Sequence, residues 1–288
     1  MLFAAVTDAT VKKQLDPFSH VRDSNEFHIF DNLHVHIPEP LTKFIIVLLL
    51  SGVIVAVLMI WLANKVRSGE TPKGRLWNLA EGMLFFIRDK IARPGIGEHD
   101  ANKYVPFLAS LFLFIFLMNL FGLLPFMGSP TAHIYVTGAL ALVVFVVVHT
   151  AGIAQHGFGK YFKTFIPHIH LEGGARYMAP FLIVGLAALE YLTAFIRVIV
   201  LAVRLFANML AGHMALFIIL FFIKLVADPA YQIEAAQGKD WLYWPVSLFS
   251  VLLVLGLNLL EVFIAGLQAF IFTFLSAIYI GLAKHPPH

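Results

Sequence analysis

The sequence contains no cysteine, which excludes a disulfide framework and Cys-ligated metal or iron–sulfur centres and leaves the redox compartment open. Charge is also scarce: Asp, Glu, Lys and Arg make up 13% of the 288 residues, about half the share of a soluble domain. No Gly-rich phosphate loop followed by Lys and Ser or Thr is present, so no nucleotide-binding role of that kind is expected. Met1 to Val6 is too short an apolar run for a signal peptide, and Asp8, Lys12 and Lys13 follow it. The first transmembrane segment is therefore expected to direct its own insertion. What is abundant is apolar surface: the chain is 60% hydrophobic, and its mean hydropathy of +0.84 marks an integral membrane protein. The formal charge of +3 then reflects basic loops on one side of a lipid bilayer, and no nucleic-acid partner is expected.

The pattern predicts an all-α integral membrane fold with about five transmembrane helices and one interfacial amphipathic helix. Residues 1–40, with Asp16-Pro17 and Pro38-Glu39-Pro40 as breakers, read as an extramembrane segment with at most short elements; residues 41–288 read as one polytopic membrane domain. Spans are expected at about 41–63, 104–126, 134–153, 178–223 and 244–283. Between the first two, Leu76, Leu79, Met83, Phe86 and Ile87 alternate with Arg75, Arg88 and Lys90, which predicts an interfacial helix over about 74–92.

The last two runs are too long for perpendicular crossings. At 1.5 Å per residue they would measure about 69 and 60 Å against a hydrocarbon core of about 30 Å. Neither contains an internal turn cluster, so two long, steeply tilted helices forming a hairpin are expected. Five crossings place twelve of the twenty Lys and Arg on the side of residues 64–103, 152–177 and the tail, and four on the other. The positive-inside rule then puts the N-terminus outside and the C-terminus in the cytoplasm, with Asp228, Glu234 and Asp240 in an external loop.

Charged residues inside those two runs are Glu190, Arg197, Arg204 and Glu261, joined by Asn208, His213, Asn258, Gln268, Ser276 and Tyr279. An intramembrane charge costs several kcal/mol on insertion scales, about 3 for arginine, and so points to function. Seven residues turn a helix by about 700°, so Glu190, Arg197 and Arg204 form one stripe. Glu261 and Gln268 share a face, to which Tyr279 returns within about 20°. His213 lies about 180° from Arg204, so it reaches the arginine face only around the helix, or reaches Glu261 across the hairpin.

Several readings compete at this level. Arg204 could pair statically with Glu190, Glu190 could instead neutralise Arg197 seven residues on, or Arg204 could anchor an anionic substrate in a self-contained secondary transporter. Asn208 and Gln268 could tie helices together, Tyr279 could belong to an interfacial belt, and Asn119 could satisfy a helix end. His34-x-His36 and His168-x-His170 lack a completing metal-ligand set, and His149 with His213 would be needed for a bis-His haem; no cofactor or metal is expected. A purely structural assembly subunit would leave the cost of the polar stripes unexplained.

The string Arg204-Leu205-Phe206-Ala207-Asn208-Met209-Leu210-Ala211-Gly212-His213 resembles the signature of subunit a of the F-type ATP synthase. The resemblance continues through Phe116-Leu117-Met118-Asn119-Leu120-Phe121-Gly122-Leu123-Leu124-Pro125, Gln268-Ala269-Phe270-Ile271-Phe272 and Tyr279, and covers most of the chain from about Leu41. It implies that Arg204 is the essential arginine facing the carboxylates of the c-ring. Asn208, His213, Glu261 and Gln268 fall on polar positions associated with the outer half-channel and the arginine's surroundings, and Glu190 on one associated with the inner half-channel. In some members the positions of His213 and Glu261 carry the reverse pair, a glutamate and a histidine. Where the family usually has proline after a basic or polar residue, this chain has Arg197-Val198, which removes an expected helix distortion.

The partners implied are the c-ring, the peripheral-stalk subunit b, the remainder of the synthase and the lipid bilayer. The location implied is a bacterial inner membrane. An arginine suits the barrier between two half-channels because it attracts a deprotonated carboxylate while holding its own proton above a pKa of about 12.

Overall fold

A computed structural model describes residues 26–30, 33–36, 43–67, 74–124, 129–163, 179–227 and 243–285. Most of residues 1–40, Pro125, His168 with His170, Arg176, and Asp228, Glu234 and Asp240 lie outside the described residues.

Two short antiparallel strands, β1 (Glu26–Phe30) and β2 (Leu33–His36), pair with Glu26 opposite His36 and His28 opposite His34. The rest of the described chain is helical. The long elements are α1 (Lys43–Arg67), α2 (Arg75–Phe86), α4 (Ala101–Gly122), α5 (Ile134–His156), α7 (Ala179–Ala227) and α8 (Tyr243–Lys284). Short helices α3 (Arg93–Ile96) and α6 (Phe158–Lys163) follow α2 and α5. Five of these helices are long and apolar enough to cross a membrane. All-α integral membrane architecture is thus the fold class, with a hairpin of two strands as its one described β element.

The largest departure from the expected helices lies after Phe86. Residues Ile87–Ala92 form a π-helical turn rather than α-helix. Pro94 has no N–H to donate to the carbonyl of Lys90, four residues earlier, and this favours a wider register before it. The turn is buried on one side through Ile87, Ile91 and Ala92, whereas Leu76 and Leu79 of α2 remain exposed.

The helices belong to two compact units. The second comprises Ser51–Phe116, His133–Leu205 and Gln268–His288. Its core has two clusters: Ile87, Ile91, Leu108, Ala151, Ala277 and Ile280 in one, and Leu111, Ile115, Val144, Leu201, Leu205 and Phe272 in the other. On α7 the buried or half-buried positions 183, 187, 190, 194, 198, 201, 202 and 205 recur at helical spacing, so Glu190 borders the packed stripe. The C-terminal part of α8 crosses α3 with backbones in direct contact. A Cβ on Gly281 would overlap the carbonyl of Gly95, and a Cβ on Gly95 would lie 2.8 Å from that of Ala277.

An ionic clasp holds the end of α8 in the same unit. Lys284 Nζ lies 2.5 Å from Asp100 Oδ2 and 5.6 Å from the centre of the Tyr104 ring, and the Lys284 side chain is only 5% exposed. The His156 Nε2–H at the end of α5 donates to the Lys284 carbonyl over 2.9 Å, satisfying one of the acceptors a helix end leaves bare.

The first unit comprises Met1–Leu50, Leu117–Ala132 and Phe206–Leu267. Here Gly122, at the end of α4, leaves room for Ser129, whose Oγ would lie 2.7 Å from a Cβ at that position. Asn119 is fully buried, and its Nδ2 donates to the carbonyl of Ala265 on α8 over 3.5 Å. It therefore joins two helices. Where the sequence offered a helix-end contact, the hydrogen bond of Asn119 runs instead from within α4 to the backbone of α8.

Candidate functional site

The polar residues of α7 and α8 divide between the two units. In the second unit are Glu190, Arg197 and Arg204 on α7 with Gln268 and Tyr279 on α8; in the first are Asn208 and His213 on α7 with Glu261 on α8.

Arg204 is exposed on α7 and forms no ion pair with another described residue. Its two neighbours in the packed stripe, Leu201 and Leu205, are 1% and 0% exposed, so Arg204 borders the one buried stripe of a largely exposed helix. A static pair with Glu190 is excluded by the helix itself, since fourteen residues separate the two by about 21 Å of rise. The charge is held on an apolar surface without a compensating carboxylate among the described residues, which is costly in lipid unless another molecule supplies one.

Arg197, one stripe position earlier, does find company. Its guanidinium carbon lies 5.8 Å from the centre of the half-buried Tyr279 ring, within cation–π range. The spacing alone offered Glu190 as the partner of Arg197, and no local signal tied it to a tyrosine eighty-two residues away. Gln268 is 4% exposed, and its Nε2 is buried without a hydrogen-bond partner among the described residues. Ser276, by contrast, is satisfied within its own helix by the Phe272 carbonyl at 2.8 Å.

In the first unit Glu261 is lodged against Gly212. A Cβ on Gly212 would overlap Glu261 Oε1, so the glycine before His213 is what admits the carboxylate to the surface of α7. Glu261 Oε2 and His213 Nε2 are both buried, and neither has a hydrogen-bond partner among the described residues. Asn119 Oδ1 is in the same condition, and Asn119 reaches α8 at Ala265, one turn beyond Glu261. Sequence reasoning missed both Asn119 and Gly212 as parts of this group.

Buried polar atoms in native proteins are paired, and the exceptions ask for water, an ion or a chemical role. An imidazole, a carboxylate and an amide with open hydrogen-bonding capacity can pass protons or hold water, and none of them can form a metal centre alone. Among the described residues no group of three or more His, Cys, Asp or Glu could hold a metal ion.

Comparison with known proteins gives the same direction. The sequence model of the ATP synthase A chain family matches residues 45–281. The chain is 37% identical over 249 residues to the ATP synthase subunit a of Myxococcus xanthus, covering 86% of this chain and 74% of that one. It is 33% identical over 288 residues to that of Chloroherpeton thalassium, with 96% and 79% covered. Against the subunit a of Anaeromyxobacter dehalogenans identity is 39%, and the match spans 56% of that longer chain. With its five apolar helices and a family match over most of its length, the chain belongs to the ATP synthase subunit a family, the membrane subunits of the F-type ATP synthase concerned with proton transport.

Proposed function

We propose that this chain is the stator of the synthase's proton-translocating sector, providing two offset half-channels separated by Arg204, which faces the carboxylates of a c-ring. The observation that carries the reading is the exposed guanidinium on an apolar helix with no described carboxylate to pair with it. A deprotonated c-ring carboxylate is the partner whose charge and location match it.

Protons enter from the outer side by way of Glu261 and His213, with Asn119 and Asn208 holding water along the same stretch. They protonate a ring carboxylate, travel with the ring and leave near Glu190. Gln268 and Tyr279 flank the arginine, and Arg197 holds the Tyr279 ring. Membrane potential adds about 2.3 kcal/mol per charge per 100 mV, comparable to the cost of keeping an arginine at depth. The N-terminus is outside and the C-terminus cytoplasmic, in a bacterial inner membrane. Helices α7 and α8, 49 and 42 residues long, lie steeply tilted along the ring. The peripheral-stalk subunit b holds the chain against the ring's torque.

The absence of cysteine gives a clean background for the direct test. A cysteine at Val200, exposed and about 40° round the helix from Arg204, is expected to cross-link to a cysteine placed beside the c-subunit carboxylate in the assembled complex. No cross-link in a complex that assembles normally would overturn the assignment.

The Gly212 contact gives a second expectation. Gly212→Val drives a branched side chain into the place of the Glu261 carboxylate and is expected to lower ATP-driven proton pumping about tenfold, a change of about 1.4 kcal/mol. Initial rates of acidification in inverted vesicles measure it. Gly212→Val at the wild-type rate would remove Glu261 from the path.

A further inference from the structure

His149 belongs to none of the groups described above. It lies on α5, seven residues before the helix ends at His156, in the second unit. Its Nδ1 is 2.9 Å from the carbonyl oxygen of Phe145, one turn earlier, and its ring lies against the Phe145 ring at 3.9 Å between centres. A carbonyl oxygen can only accept, so Nδ1 carries the hydrogen. In the neutral ring Nε2 is then the bare lone pair. That atom is buried and has no hydrogen-bond partner among the described residues.

The surroundings of this lone pair are specific. The Tyr161 ring of α6 stands edge-on to the imidazole at 5.9 Å and is itself 3% exposed. It occupies the space left by Gly152, where a Cβ would overlap the ring. Gly157, at φ 79°, makes the reversal that brings α6 back over α5. On the other side, Phe145 meets Phe195 of α7 edge-to-face at 6.4 Å, which sets His149 near the level of Tyr191 and Glu190, about one turn before Phe195. By that register the titratable and charged groups on the facing elements are Tyr161 on α6 and Glu190, Tyr191 and Arg197 on α7. Burial pushes the Tyr161 phenol up, with Tyr191 adding to the effect, so Tyr161 keeps its hydrogen throughout the neutral range.

We propose that His149 Nε2 is a proton-accepting site on the cytoplasmic half of the membrane domain, loaded and unloaded during translocation alongside Glu190. The inference rests on the proton-translocating role proposed above. Histidine changes charge between about pH 5 and 8, and its lone pair binds a proton from water and returns it with no other chemistry required.

The test exploits the two ring nitrogens. In His149→Asn the side-chain amide can keep the donor to the Phe145 carbonyl while nothing titrates in the place of Nε2. ATP-driven pumping by the full reconstituted complex is measured from pH 5.5 to 8.5 beside wild type and Arg204→Ala. The expected result is that His149→Asn loses or displaces by at least one pH unit a single-proton limb of the wild-type profile. Superimposable profiles, with Arg204→Ala inactive, would overturn the His149 assignment alone. Normal pumping by Arg204→Ala would overturn the translocation reading itself. If His149→Asn does not co-purify with the complex, His149→Gln carries the same comparison, and loss of assembly in both marks a structural group and overturns the proposal.

Discussion

Replacing Arg204 by alanine is expected to abolish ATP-driven proton pumping and coupled synthesis while leaving the subunit folded. The second half of that statement follows from packing. Arg204 is exposed, and the side chains that lock α7 into its unit are Leu201, Ala202 and Leu205 on the adjoining stripe. No described residue loses an ion-pair partner when the guanidinium is removed, so no buried charge is orphaned. The first half follows from electrostatics. In the proposed mechanism, removing the fixed cation leaves nothing to draw the deprotonated ring carboxylate to the boundary between the half-channels or to separate their protons. Lysine is a poor substitute because it can give up its proton in a dry site and so relay what it should block. Acidification of inverted vesicles and the amount of assembled complex, measured together, separate loss of function from loss of subunit. Coupled activity in fully assembled Arg204→Ala would refute the arginine's role.

Sequence gave access to this residue because a membrane makes charge expensive: one arginine in an apolar run stands out without any knowledge of contacts. The five apolar helices were readable for the same reason, and the unusual length of the last two followed from the absence of turn residues. What could not be read were the pairings between distant parts of the chain. Helical phase put Glu261 and Gln268 on one face, but not Glu261 against Gly212, and nothing local assigned Asn119 to the Ala265 carbonyl. Tyr279 and Arg197 each had a nearer candidate role, as a belt residue and as the partner of Glu190, and their cation–π contact depends on how two helices pack. The π-helical turn did leave a mark in the sequence, since Pro94 removes a donor from the helix that contains it. His149 left a fainter one: a histidine within a span is visible, but its bare nitrogen becomes evident only once the bond from Nδ1 to Phe145 is seen.

The clasp at the end of α8 leads to the largest expected effect on stability. Lys284 was countable only as a basic tail residue, yet its side chain is 5% exposed and its charge is met by Asp100, which is 31% exposed. The two partners are therefore unequal. Asp100→Ala strands a buried ammonium, with only the Tyr104 ring left beside it, and is expected to cost about 3 kcal/mol. Lys284→Met leaves an aspartate that water can reach and fills the lysine's space with an apolar chain; its expected cost is smaller, about 1 kcal/mol. The hydrogen bond from Lys284 holds the Asp100 carboxyl below the usual carboxylate range, with the Lys284 charge and those of His285 and His99 acting in the same direction. A depressed carboxyl pKa contributes stability that is complete above the ordinary value near 4 and is lost as pH falls through the lower, folded-state value. The difference between wild type and Asp100→Ala should accordingly stay constant from pH 5 to 8 and shrink only in acid. Thermal unfolding of the purified membrane sector at several pH values measures this. Equal losses for Asp100→Ala and Lys284→Met, or a difference that already fades between pH 8 and 6, would show that the burial of Lys284 is not what makes the clasp count.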